Sequence, residues 1–272
     1  MSLIRRAIAR LPASARQEWR ALILFGVIFL AATWLFYEVV EDMVWGDPLV
    51  AADTVTYAIL QHLRSPILDR VMISVTELGD APVVIAIGAV VAGWLIYKRA
   101  WRALAYWLLA VGGGSLINTA IKLAMHRARP GDLHYSGASV FSFPSGHSTT
   151  NAALYGFLLI LIARELPLRT RLPIICTLIA FVGLIAFSRL YLGAHWLSDV
   201  GGGLTFGSAW LALLALFYMW RPSEPIDASK LLWVAGITLI LAGGLNIAFT
   251  HSADLLRYTV RPSTALQPVS SS

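Results

Sequence analysis

The sequence is poor in cysteine and in charge, and each shortage excludes a class of protein. Cys176 is the only cysteine in 272 residues, which excludes a disulfide framework and a multi-cysteine metal site. Because Cys176 lies in an apolar run, we expect it to be a small buried side chain. Charged residues make up 13% of the chain and hydrophobic residues 58%, with a mean hydropathy of +0.71. Soluble domains carry about 25% charged residues, so this balance indicates a membrane-embedded protein.

Seven apolar stretches are long enough, or nearly so, to cross a bilayer as α-helices, which takes roughly 20 residues. They run approximately over residues 21–40, 81–97, 103–121, 148–163, 172–187, 196–219 and 231–249. The fourth and fifth are short, so they should depend on neighbouring helices. The first has a long basic lead and nearly a full span, which favours an uncleaved anchor over a signal peptide. The sequence therefore predicts an all-α, polytopic bundle of membrane helices.

The net charge of +6 reflects topology more than an anionic partner. Basic residues concentrate in alternate connections, and the positive-inside rule then places the N-terminus in the cytoplasm and the C-terminus outside. No other feature supports binding to nucleic acid, and the bilayer is the expected partner. The residues that carry this signal are Arg5, Arg6, Arg10, Arg16, Arg20, Lys98, Arg99, Arg102, Arg164, Arg169, Arg171, Arg221 and Lys230.

The remaining segments complete the expected organisation of the chain. Residues 1–20 form a cytoplasmic arm, residues 21–250 a transmembrane domain, and residues 251–272 a disordered tail. Apolar residues recur at helical spacing over 50–78, interrupted by Arg64, Pro66 and Asp69. This pattern predicts one or two amphipathic helices, which either lie on the outer interface or pack against the bundle.

Three polar clusters interrupt the apolar pattern, and the predicted topology places all of them at the outer ends of helices. The first runs from Lys122 to Pro130. The second is Pro-Ser-Gly-His, ending at His147, and the third runs from Ser188 to Asp199. Helix ends on the same side of a membrane can meet, so the clusters are expected to form one site.

The basic residues of these clusters suggest a phosphate cradle. Lys122 and Arg129 are seven residues apart and would share a face if the third helix continued. Arg189 supplies a third cation, and the arginine fork suits phosphate oxygens. Ser145 and Gly146 precede the fourth helix, whose N-terminal N–H groups can bind an anion.

The histidines and Asp199 suggest phosphoryl transfer. His195 and Asp199 are four residues apart, so the carboxylate can orient the imidazole and leave its other nitrogen as nucleophile. His147 is then available as general acid. Arg127 is expected to face solvent. We assign no role to three further histidines, His126, His134 and His251.

At these residues the chain resembles the type-2 phosphatidic acid phosphatase superfamily, also called lipid phosphate phosphatases. The pattern of that family is Lys, six residues, Arg-Pro; then Pro-Ser-Gly-His; then Ser-Arg, five residues, His, three residues, Asp. This chain keeps every residue and spacing, and the resemblance covers about residues 81–219. Two further segments, Leu78–Asp80 and Tyr191–Trp196, look like bacterial members of the superfamily.

The resemblance implies a six-helix core, with the seventh apolar stretch as an extra transmembrane helix, and a site at the outer face. It implies His195 as the nucleophile that forms a phosphohistidine, Asp199 as its orienting residue and His147 as the acid. The phosphate would be held by Lys122, Arg129, Ser145, Gly146 and Arg189. The family works without a metal, and no cofactor is implied. We therefore expect a metal-independent lipid phosphatase in a bacterial inner membrane, with a periplasmic site.

The substrate is open between undecaprenyl diphosphate, phosphatidate, phosphatidylglycerol phosphate and a lipid A phosphate, the last including phosphotransfer. Oligomeric state cannot be read from the sequence. Three other functions remain as alternatives: an intramembrane serine protease using Ser145 and His195, a non-catalytic anion transporter or lipid scaffold, and a metal-dependent hydrolase. The ligands of that metal would come from His126, Asp132, His134, His147, His195 and Asp199.

Overall fold

The computed structural model describes residues 18–46, 48–130, 133, 135–222 and 224–258, and within them the chain forms helices and no strand. A π-helical turn covers Leu109–Gly113, and a short 3₁₀ turn covers Gly137–Val140. The helices are α1 (Trp19–Trp45), α2 (Pro48–His62), α3 (Pro66–Glu77), α4 (Ala81–Tyr97), α5 (Trp101–Leu108), α6 (Gly114–Met125), α7 (Gly146–Ala163), α8 (Leu168–Tyr191), α9 (Leu197–Met219) and α10 (Ala228–Tyr258).

Among the described residues, six helical segments are long and apolar enough to cross a membrane. Large apolar side chains cover their outer surfaces, as at Leu30, Leu116 and Ile240, whose exposed fractions are 69%, 73% and 73%. A surface of this kind is unfavourable in water but suits lipid chains, and helices satisfy their own backbone hydrogen bonds there. The predicted all-α, multi-pass membrane fold is confirmed. The six segments are Trp19–Trp45, Pro66–Tyr97, Trp101–Met125, Leu168–Tyr191, Leu197–Met219 and Ala228–Tyr258.

All seven predicted apolar stretches are helical, although the third runs through α5, the π-helical turn and α6, and several bounds differ. The fourth stretch lies in α7, which is not among the six candidate membrane spans. The fifth stretch is not short, because α8 extends over 24 residues. The last helix continues to Tyr258, so a tail beginning at residue 251 is wrong, and residues 259–272 lie outside the described part. Residues 1–17 of the predicted arm also lie outside it.

Helix α7 lies at the centre of the bundle, which explains why its stretch is short. It has 18 residues, of which 11 are buried, and it packs against α6, α8 and α9. Glycines on α9 permit this approach: a Cβ at Gly203 would lie 2.7 Å from the Ser145 carbonyl oxygen, and one at Gly207 would lie 3.0 Å from that of Thr149. The N-terminus of α7 is thereby held against the first turns of α9.

An apolar core fills the bundle away from the polar clusters. It includes buried side chains of α4, α5, α7 and α9, among them Val91, Leu95, Trp107, Phe157, Leu161 and Tyr218. Cys176 is exposed on α8, so the expectation of a buried side chain is wrong.

The segment predicted to be amphipathic forms two helices, α2 and α3. Ser65 caps α3 by accepting the N–H of Leu68, and Pro66 occupies its first turn, where a missing N–H is harmless. Helix α2 packs against α9, and α3 packs against α8 and α10. Packing against the bundle is therefore observed, while a position at the bilayer interface stays a prediction.

Candidate active site

The first and second clusters meet through a loop rather than along a helix. Helix α6 ends at Met125, because His126 turns into the left-handed region at φ 48°. The expectation that Lys122 and Arg129 share a helical face is therefore wrong. Both cations nevertheless reach one carbonyl: the Lys122 ammonium donates to Phe141 O at 2.9 Å and an Arg129 N–H donates to it at 3.4 Å.

His195 is buried beside a carboxylate and a guanidinium. Its Nδ1 lies 3.4 Å from Asp199 Oδ2, and its Nε2 lies 3.1 Å from Arg129 Nη1. The backbone N–H of Trp196 donates to the same Asp199 oxygen at 2.9 Å. His195 precedes α9 by two residues, so the predicted pair forms across the start of the helix. These contacts assign the proton to Nδ1 and leave the Nε2 lone pair for a bond to an electrophile or to a donor.

The electrostatics around His195 favour the neutral imidazole. Burial, followed by the positive charges of Arg129 and Arg189, holds the pKa of His195 well below its ordinary value of 6.5. A neutral imidazole has the free lone pair that a nucleophile requires.

Arg127 lies inside the site, which contradicts the expectation that it faces solvent. It donates to Asp199 Oδ1 at 2.7 Å and to Asp53 Oδ2 at 2.6 Å. Asp53, on α2, in turn accepts the N–H of Ser198 at 2.8 Å, in the first turn of α9. Arg127 and Asp53 thus hold the Asp199 carboxylate in place beside His195. The sequence carried no signal for this, because Asp53 was one of several acidic residues in the first connection.

Arg189 is buried at the opposite side of the cluster. Its guanidinium donates to Thr76, Tyr135 and Tyr258 at 2.8–2.9 Å, while its Nε is buried without a hydrogen-bond partner. The Arg129 guanidinium lies 3.9 Å from the centroid of the Tyr135 ring, so the two arginines flank this tyrosine. An unpaired buried donor on a cation is what an anionic ligand would satisfy.

His147 has a carboxylate partner that the motifs did not assign. Its Nε2 lies 2.8 Å from Asp80 Oδ1, at the start of α4. Both side chains are half-buried, at 21% and 26% exposed, so the pair can be reached from outside. The only sequence signal was that Leu78–Asp80 looked like bacterial relatives.

Ser145 and Gly146 begin α7, as predicted. The Ser145 hydroxyl accepts the N–H of Ser148, which makes it the cap of this helix. The Ser145 N–H donates to Asp199 O at 2.9 Å and so joins the second cluster to the third. Binding of phosphate by Ser145 and Gly146 stays a prediction.

The three histidines without an assigned role differ from one another. His251 lies 3.0 Å from the buried carboxylate of Glu77, a partner that no sequence pattern indicated. The exposed His126 packs edge-on against Phe141. Asp132 and His134 lie outside the described residues, and within the described ones no three His, Cys, Asp or Glu side chains are grouped to hold a metal ion.

Comparison with known proteins identifies the family. The profile of the PAP2 superfamily matches residues 103–223. Phosphatidylglycerophosphatase B of Bacillus subtilis is 31% identical over 191 residues, which cover 68% of this chain and 89% of that protein. Lipid A 1-phosphatase of Rhizobium johnstonii is 38% identical over 120 residues, 40% of this chain and 45% of that protein.

A solved structure matches most of the chain. The crystal structure of the transmembrane PAP2-type phosphatidylglycerolphosphate phosphatase from Bacillus subtilis superposes with a TM-score of 0.57 at 29% identity. The match covers 71% of this chain and 94% of that one. The motifs, the membrane fold and these relatives agree: the chain belongs to the PAP2 superfamily and has the transmembrane phosphatase fold of that family.

Proposed function

We propose that this protein removes phosphate from a membrane lipid through a phosphohistidine on His195, without a metal ion. The observation that carries the proposal is the buried His195, with Asp199 at one ring nitrogen and Arg129 at the other. The unpaired Nε of Arg189 adds a donor on the far side of Tyr135.

In the first step, His195 Nε2 attacks the phosphorus atom while the bond between phosphorus and the lipid oxygen breaks. The bonding electrons leave on that oxygen, which takes a proton from His147. The Asp199 carboxylate stabilises the positive charge that develops on the imidazole. Arg129 and Arg189, together with Lys122, offset the charge of the phosphoryl oxygens.

In the second step, water attacks the phosphorus atom of the phosphohistidine. His147, now neutral, takes a proton from the water, and the phosphorus–nitrogen bond breaks with its electrons returning to Nε2. Inorganic phosphate leaves, and both histidines regain their starting states. The hydrogen bond between Arg129 and Nε2 must open in each turnover, because Nε2 is the attacking atom.

The substrate class we propose is a lipid phosphomonoester or lipid diphosphate of the phosphatidylglycerol phosphate, phosphatidate or undecaprenyl diphosphate type. The curated relative and the solved structure from Bacillus subtilis support phosphatidylglycerol phosphate by their names, and the Rhizobium johnstonii relative supports a lipid A phosphate. A cavity of about 390 Å³ next to Tyr258 is lined by residues of α3 and α10 and by Arg64. The cavity borders the proposed site through Tyr258, which accepts from Arg189 at 2.9 Å, and we propose that it contributes to selection of the lipid head group.

The competing functions lack comparable support. A protease would need Ser145 activated by His195, but the Ser145 hydroxyl is engaged with Ser148 at 3.1 Å. A transporter would need polar groups through the bundle, whereas the described interior beyond the site is an apolar core.

The decisive experiment compares purified wild type with His195→Ala and Asp199→Asn in detergent. Rapid quenching with ³²P-labelled lipid phosphate should trap an acid-labile phosphoenzyme in wild type and none in His195→Ala. Asp199→Asn should retain more activity than His195→Ala, because it only misorients the ring. Full activity of His195→Ala would refute the mechanism, and loss of activity in excess chelator would refute metal independence.

We further propose that the site faces the periplasm of a bacterial inner membrane. On a Cys176→Ser background, Arg70→Cys and Arg99→Cys place single thiols at exposed positions in the first and second connections. A membrane-impermeant thiol reagent applied to spheroplasts should label only the first. Labelling of the second alone would reverse the orientation.

A further inference from the structure

Helix α10 supplies none of the groups that take part in the two phosphoryl-transfer steps, and it lies beyond residues 103–223, which match the family profile. It packs along α3 and α4, the two helices that meet at Asp80. Its polar side chains point into this junction. Thr250 and His251 contact the buried Glu77 carboxylate, and Tyr258 accepts from Arg189 at 2.9 Å.

Asn246 connects α10 to the Asp80 carboxylate. Its side chain is buried in α10, and its amide N–H groups donate to Glu77 O at 2.9 Å and to Asp80 Oδ2 at 3.2 Å. The other Asp80 oxygen, Oδ1, lies 2.8 Å from His147 Nε2. A continuous hydrogen-bonded chain therefore runs from the last helix to the general acid.

We propose that Asn246 and Asp80 are positioning residues for the reaction and that α10 is a working part of the active site. The amide of Asn246 holds one carboxylate oxygen, so the other faces His147. Asp80 then fixes the ring by its Nε2–H and leaves Nδ1 as the nitrogen that gives a proton to the leaving oxygen. A carboxylate at this distance also stabilises the protonated ring, which is the form a general acid needs.

This inference rests on the proposed role of His147, and leaving-group dependence tests it. A general acid matters for an alkyl phosphate, whose alkoxide is a poor leaving group. It matters little for p-nitrophenyl phosphate, whose phenolate leaves unaided. kcat/KM reports the step in which the phosphate–oxygen bond breaks, so it should be measured for a short-chain lipid phosphate and for p-nitrophenyl phosphate.

Asp80→Asn should lower kcat/KM for the lipid phosphate about 10-fold or more, a part of the roughly 10²–10⁴ that general acid catalysis contributes. It should change kcat/KM for p-nitrophenyl phosphate by less than about 3-fold. Asn246→Leu should show the same asymmetry with a smaller loss. Thr250→Val is the matched control, since it removes a contact from α10 to Glu77 but none to Asp80, and both substrates should be hydrolysed as by wild type.

Equal losses on the two substrates in Asp80→Asn and Asn246→Leu would overturn the inference, because they would indicate a merely structural role. If Asp80→Asn does not fold, Asn246→Leu decides alone. His147→Asn, measured on the same two substrates, distinguishes a failure of the inference from a failure of the proposed function. If His147→Asn discriminates between the substrates while the two positioning variants do not, only the inference fails. If His147→Asn does not discriminate either, the proposed acid is wrong.

Discussion

A single methyl group at Gly203 should disturb the junction that joins the second and third polar clusters. At this position a Cβ would lie 2.7 Å from the backbone oxygen of Ser145 and 2.9 Å from the Cβ of Ser148. A backbone oxygen at the start of a helix cannot rotate away as a flexible side chain can. Gly203→Ala must therefore push α7 away from α9.

The magnitude follows from two opposing effects. Alanine is better than glycine in a helix by about 1 kcal/mol, while overpacking a close contact costs about 1–3 kcal/mol. Gly201, two residues earlier on the same helix, has nothing within 4 Å of an added Cβ. Gly201→Ala should therefore raise the free energy of unfolding, and the free energy of unfolding of Gly203→Ala should be about 1–3 kcal/mol lower than that of Gly201→Ala.

The displacement should also reduce activity. The Ser145 N–H donates to Asp199 O, so a shift of α7 moves the turn at Ser145, the proposed phosphate-binding turn, relative to His195. Misplacement by about 1 Å can cost about 100-fold in rate. The assay is chemical unfolding in detergent together with kcat/KM, for both glycine variants. A Gly203→Ala protein as stable and as active as Gly201→Ala would refute the reasoning.

Two further predictions concern charge. Arg127→Met should lower the free energy of unfolding by about 3 kcal/mol in the same assay, because it leaves the buried Asp53 and Asp199 carboxylates without the arginine that bridges them. The control Arg70→Met, at an exposed position, should change it by less than about 0.5 kcal/mol, and equal free energies of unfolding for the two variants would contradict the network. Because the pKa of His195 is lowered, its imidazole stays neutral at pH values somewhat below 6.5. The acidic limb that His195 gives to the pH profile of kcat/KM should therefore lie below pH 6.5. An acidic limb above pH 6.5 in the wild-type profile would contradict the electrostatic account.

The membrane class, the helices and the candidate site residues could all be predicted from the order of the amino acids. Long apolar runs fix helices, because a bilayer leaves a backbone no other partner than itself. The pairing of His195 with Asp199 was also predictable, since four residues separate them and local geometry brings them together.

Which side chains hold these groups in position depends on the tertiary structure. Arg127 follows a left-handed turn that ends α6, and no helical period predicts the direction in which a loop side chain points. Asp53, Asp80 and Asn246 gain their roles from residues far along the chain: 166 positions separate Asn246 from Asp80. Periodicity reports neighbours within a helix, whereas contacts of this kind depend on which helices pack together. The motifs therefore single out His195 and His147 as the proposed nucleophile and acid, and the packing of α2, α4 and α10 brings Asp53, Asp80 and Asn246 to the groups that hold them.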